Sequence, residues 1–182
     1  MSRFILAILM AVPLAMQSSS AAAVGGPSNI VMAINHTDGR LAIRSNVQLV
    51  REPGMIAAPQ NFAFANASCV GCGTVAVALQ LNFASSDAGY NAPVNVAVAS
   101  NDECTGCTTI ALATQVFLRV DDPTATPDGV RDVLRDLDAE LRAVSTDPNI
   151  TVDDAVTRIE SVIQRFWPFA TAIDQQRSVN NN

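Results

Sequence analysis

The sequence predicts an α+β domain: an antiparallel sheet of about three β-hairpins followed by an antiparallel helical hairpin. Three observations predict it. Strand-type alternation recurs in a repeated unit across residues 24–120, and helical periodicity takes over beyond residue 121. Charge shifts at the same place: residues 24–118 carry eight charged side chains, and nineteen lie between Arg119 and Arg177. The stretch "RVDDPTATPDG" marks the seam between body and helical piece.

The first residues read as a secretory signal peptide over 1–23. Arg3 supplies a positive start, Phe4–Met16 an apolar run too short to span a bilayer, and Ala21 and Ala23 the small positions of a cleavage site. The expected mature chain is therefore secreted or extracytoplasmic, with no membrane span. Its charge agrees with a short list of partners. The net charge is −6, and all the basic residues are arginines scattered without clusters. Such a chain is a poor binder of nucleic acid or anionic lipid, so the expected partner is an unidentified protein or cell-surface component.

The repeat is clearest around the cysteines. "CVGCGTVAVALQ" from Cys69 and "CTGCTTIALATQ" from Cys104 agree at seven of twelve positions. "NFAFA" from Asn61 and "NVAVA" from Asn95 precede them. A fainter first copy runs "IVMAIN", "HTDG", "RLAIRSNVQLV", with Gln48 near the place of Gln80 and Gln115. Each unit reads strand, turn, strand, and Asp38-Gly39 is a strong hairpin signal. Three such units suggest a meander rather than a long solenoid.

The alternation also sorts the faces. Val75, Val77, Leu79, Leu81 and Phe83 share one face, and Thr74, Ala76, Ala78 and Gln80 share the other. Ile110, Leu112, Val116 and Leu118 likewise oppose Thr109, Ala111, Ala113 and Gln115. The large face needs a core, and the flat alanine face admits close approach of another layer, so the sheet is expected to be covered on both sides.

The helical hairpin is expected over 121–168. Thr126 and Pro127 make an N-cap and first-turn pair, and Val130, Val133, Leu134, Leu137, Leu141 and Val144 follow at helical spacing. Thr151 with Asp153 and Asp154 opens a second helix, whose stripe ends at Trp167 because Pro168 disfavours helix before it. Residues 169–182 read as a flexible tail.

The four cysteines carry three competing chemistries. A C-x-x-C…C-x-x-C pattern is how a four-cysteine zinc site is written, with Cys69, Cys72, Cys104 and Cys107 as ligands. Thiol–disulfide redox chemistry is a second reading, although both motifs lead into strands rather than helices. Structural disulfides are the third and the leading one. Gly71 and Gly106 occupy the third place of four-residue turns, where positive φ is needed, and such a turn brings its ends within disulfide range. Gly39 is the turn glycine of the cysteine-free copy. An oxidising compartment favours this reading, so no cofactor is expected, zinc being the alternative. Connectivity stays open among three arrangements.

Other residues offer little chemistry. His36 is the only histidine and sits in a turn, and no metalloprotease motif, nucleophile elbow or phosphate loop is present. Asn35, Asn66 and Asn149 begin N-x-S/T sequons. No catalytic residue is expected, and the chain reads as a non-enzymatic structural or interaction module with cysteines bracing its turns.

The phrases "NIVMAINHTDGRLAIRSNVQLV", "NFAFANASCVGCGTVAVALQL", "NVAVASNDECTGCTTIALATQVFL" and "TPDGVRDVLRDLDAELRAV" resemble an extracytoplasmic domain of actinobacterial secreted and membrane proteins. Paired C-x-x-C-x-T-x-A-x-A-x-Q repeats carry the resemblance, over roughly residues 29–167. Some of those proteins bear the label peptide zinc metalloprotease protein. That activity needs metal-binding histidines, so the resemblance implies only the cysteine-bearing turns and the strands around them.

Overall fold

A computed structural model describes residues 26–180; the expected signal peptide lies outside them. Each repeat contributes one strand to each of two sheets. β1 (Ser28–Asn35), β4 (Gln60–Ala67) and β7 (Val94–Asn101) form the first, in the order β1-β4-β7. β2 (Leu41–Glu52), β5 (Gly73–Ser85) and β8 (Thr108–Val120) form the second, in the order β2-β5-β8. Two-residue strands β3 (Ile56–Ala57) and β6 (Tyr90–Asn91) pair at the return bends. The chain is thus a stack of three rungs, each an arch whose arms face each other across the two sheets.

This overturns the expected antiparallel hairpins: every strand pairing among the described residues is parallel. The physical reason lies in which groups the two topologies bring together. Parallel stacking in register aligns equivalent residues, so Asn29, Asn61 and Asn95 form one row and Gln48, Gln80 and Gln115 another. Their side-chain amides then bond along the stack, as polar rows do in in-register parallel assemblies. A hairpin would instead pair each strand with its own repeat and leave these amides apart. The bend at Asp38-Gly39 forms, but it turns the chain into the opposite sheet.

The faces follow the alternation. Between the sheets lies a thin layer built from Val31, Ala33, Ala63, Ala65, Ala76 and Ala78, with Ala111 and Ala113 against it. With little more than methyl groups between them, β4 and β5 approach with Cα atoms within 8 Å of each other. Facing sheets ordinarily lie about 10 Å apart. The opposite face of the second sheet carries the main core: Val75, Val77, Leu79, Leu81 and Phe83 pack under the helices.

Two helices cover that face. α1 (Val130–Thr146) buries Val130, Leu134, Leu137, Leu141 and Val144. It starts at Gly129, φ 79°, without a side-chain cap, not at Thr126 as the sequence suggests. Thr126 is taken by Arg51, whose Nε donates to its Oγ1 at 3.0 Å. α2 (Val152–Asn180) is capped by Thr151, which accepts from the Asp154 N–H at 3.1 Å and donates to the Asp154 carboxylate at 2.7 Å. It runs straight through Pro168 rather than ending at Trp167. Ala170 and Ile173 beyond the proline are buried in the core, and that packing offsets the lost backbone bond. No helix among the described residues is long and apolar enough to cross a membrane.

Candidate functional site

The site is built at one end of the arches, where the chain crosses between sheets. Gly39, Gly71 and Gly106 stand at the three tips with φ of 66°, 62° and 67°. A side chain in that region strains the backbone by about 1–2 kcal/mol, and glycine avoids the strain. The tips stack through their glycine amides: Gly39 N–H donates to Val70 O at 2.9 Å, and Gly71 N–H to Thr105 O at 2.8 Å.

The cysteines flank two of these glycines. Cys69 and Cys72 lie at disulfide distance with Cα atoms 6.0 Å apart, and Cys104 and Cys107 likewise at 6.1 Å. Stacking brings the two pairs together, so that all four sulfurs lie within 4.8 Å of one another. Cys69 and Cys72 are buried against Ala67, with Cys104 and Cys107 packed on them. The first tip has a different brace. Asp38 accepts a hydrogen bond from Val70 N–H at 2.8 Å, linking the cysteine-free tip to its neighbour. His36 is exposed and bonds Ser68 Oγ through Nδ1.

Two amide rows run through the layer behind the tips, and sequence reasoning saw only part of them. Asn29 donates to Asn61 at 2.9 Å and Asn61 to Asn95 at 2.8 Å, while Asn61 also reaches across to Ala78 O at 3.0 Å. Gln115 donates to Gln80 at 2.7 Å and Gln80 to Gln48 at 3.0 Å. These amides join rungs and tie one sheet to the other. The asparagine row was detectable in principle, because all three residues hold the same place in their repeats. Asn35 is buried and donates to Arg40 O and Gly73 O, each at 2.8 Å, so in the folded chain its sequon is closed to glycosylation.

Three further features lie apart from the tips and the amide rows. Glu52 is buried, and burial pushes its carboxyl above the ordinary 4.5, against the Ala58 N–H that pulls it down. A groove of about 410 Å³ lies between β2 and α1, lined by Val47, Leu49, Arg51, Arg131 and Leu134, with Arg135 and Asp138 at its rim. Arg135 is held by Asp132 at 3.1 Å. The outer face of the first sheet is apolar, with Ile30, Met32, Ile34, Val94, Val96 and Val98 exposed.

No family model, curated protein or solved structure matches the chain. The functional reading rests on the cysteine tips and the surfaces around them.

Proposed function

We propose that the chain is an extracytoplasmic structural or interaction module whose two cystines lock adjacent arch tips. The carrying observation is that each C-x-G-C lies at disulfide distance within its own tip, around a glycine already in the left-handed region. Closing a four-residue loop stabilises by only about 2 kcal/mol in the chain-entropy model. The main effect is therefore a rigid tip, which suits a scaffold presenting a fixed surface. The N-terminal Arg3 and Phe4–Met16 pattern supports export to a compartment where cystines persist. The exposed apolar face of β1, β4 and β7 supports a protein or cell-surface partner. The module acts by binding rather than by catalysis.

Intact mass with and without reduction tests this. Alkylation of the exported protein should add nothing before reduction and four adducts after it; four adducts without reduction would sink the proposal.

A second reading is favoured by one distance. Four sulfurs within 4.8 Å of one another suit a tetrahedral four-thiolate zinc site, whose Zn–S bonds are about 2.3 Å. One zinc per chain by elemental analysis, with all four cysteines resistant to alkylation until a chelator is added, would replace the cystine reading.

A further inference from the structure

The two ends of the stack differ. At the β1/β2 end the inter-sheet layer is closed, with Val31 and Ala33 only 5% and 1% exposed. Arg44 stands there in register with Ala76 and Ala111, in a layer too thin for a guanidinium. Its side chain is exposed and leaves by the sheet edge, away from those two residues. Asn46 closes the same end by donating to Asn29 Oδ1 at 2.7 Å. An inward-pointing charge on an edge strand is a device that discourages further pairing.

At the β7/β8 end the one inward-row charge among the described residues is Arg119, near the far end of β8 in the row of Ala84 and Glu52, and the alanine rows carry none. Ala97 and Ala99 hold the same rows as buried Ala63 and Ala65, yet both are exposed, and Ala111 and Ala113 are half-buried. Three polar rows also stop there without their next partner. Asn95 Nδ2 donates to Ala113 O at 2.9 Å but to no further amide. Gln115 donates to Gln80, and its Oε1 accepts nothing among the described residues. Gly106 N–H lacks the tip carbonyl that Gly39 and Gly71 find. Stacked repeats need a polar capping rung to stay soluble, and this end lacks one.

We propose that the β7/β8 end is the interface of a two-fold homodimer, in which the edge strands of two copies pair antiparallel and continue both sheets. The occupant is a second copy joined open end to open end. Head-to-tail stacking would drive Arg44 and the bonded Asn46 into the joint, whereas a two-fold axis leaves the capped ends outside and closes the assembly.

The register follows from the alternation, which is kept only if each strand pair is centred on a residue. Asn95 reaches Ala113 and Thr109 reaches Asn101, so Val98 stands across from Ala111. Centring there pairs Asn95 with Asn101 of the second copy, giving the second N–H of the Asn95 amide a carbonyl. Eight residues of strand span roughly 26 Å, and two sheets with their side chains about 20 Å. The joint then buries on the order of 1,000 Å² in total, the least that a specific interface requires. The proposal goes beyond the module reading and is independent of the state of the cysteines.

Sedimentation equilibrium on the purified full chain tests it, with expected mass twice that of one chain. Ala111→Arg transplants to this end the charge that Arg44 supplies at the other, and should return the mass to one chain with an unchanged circular dichroism spectrum. Val98→Cys places two thiols at the two-fold axis and should yield a reductant-sensitive species of double mass. A parent chain monomeric at high micromolar concentration overturns the proposal. So does a folded Ala111→Arg variant that remains dimeric, growth beyond a dimer, or a Val98→Cys dimer that fails to cross-link. If Ala111→Arg does not fold, the Val98→Cys cross-link decides alone.

Discussion

Substituting leucine into the inter-sheet layer is the most searching perturbation of this architecture, because the layer is so thin. Ala63 is fully buried and holds the same row as Val31 in the rung before it. Leucine at Ala63 adds three carbon atoms where β4 and β5 have Cα atoms within 8 Å. Overpacking of a closed core costs about 1–3 kcal/mol. The sheets can relieve it only by separating, which stretches the bonds from Asn61 to Ala78 O and from Asn29 to Leu79 O, both 3.0 Å. At about 1 kcal/mol each, these bring the expected loss to about 3–5 kcal/mol. Val31→Leu puts the same side chain in the same row of the end rung, which has a neighbouring rung on one side only. It adds a single carbon and should cost less than about 1.5 kcal/mol. Urea unfolding followed by circular dichroism gives both values. Equal losses for the two variants, or a loss below about 1 kcal/mol for Ala63→Leu, would refute the argument that methyl-sized residues set the spacing.

Asn61→Ala should destabilise by about 3 kcal/mol, since it removes bonds to Asn29, Asn95 and Ala78 O from a fully buried position; a loss under about 1 kcal/mol in urea would show that the row contributes little. Pro168→Ala should stabilise, by up to about 3 kcal/mol, because the proline is exposed inside α2 and interrupts its hydrogen bonds. A lowered thermal midpoint would contradict the continuous helix. Glu52 supplies a pH test. Its raised folded value means that the native state holds the proton more tightly than the unfolded one, so the stability it contributes is full below 4.5 and declines as pH rises through the raised value. Glu52→Gln should therefore gain on the parent chain as pH rises above 4.5, and a pH-independent difference in urea midpoint would count against it.

Much of the fold was legible in the sequence, and the failure was specific. The strand–turn–strand repeat, the division into a large face and an alanine face, and the helical pair all follow from periodicity, because burial on each face demands it. Alternation is blind, however, to whether the arms of a repeat bond to each other or face each other. Parallel stacking was written in another signal: Asn29, Asn61 and Asn95, and Gln48, Gln80 and Gln115, repeat identical side chains at equivalent places. An antiparallel meander would separate the glutamines of successive units by an intervening strand; in-register rungs stack them directly. Arg44 was invisible for a related reason, since its meaning depends on standing in the first rung, at the edge of an otherwise alanine-lined row. The start of α1 shifted because Arg51, distant in sequence, claimed the Thr126 hydroxyl.

The amide rows have an electrical consequence. Each side-chain amide is a dipole, and a row of them aligned head to tail sums as peptide units do along a helix. In the asparagine row the N–H groups point from β1 toward β7. The glutamine row points from β8 toward β2. The two side-chain dipoles therefore oppose each other along the stacking axis, and largely cancel. Each row can still polarise its own bonds and strengthen them as it lengthens. Rungs can be added to such a stack without building a field at its ends, which is a constraint that a long helix never escapes.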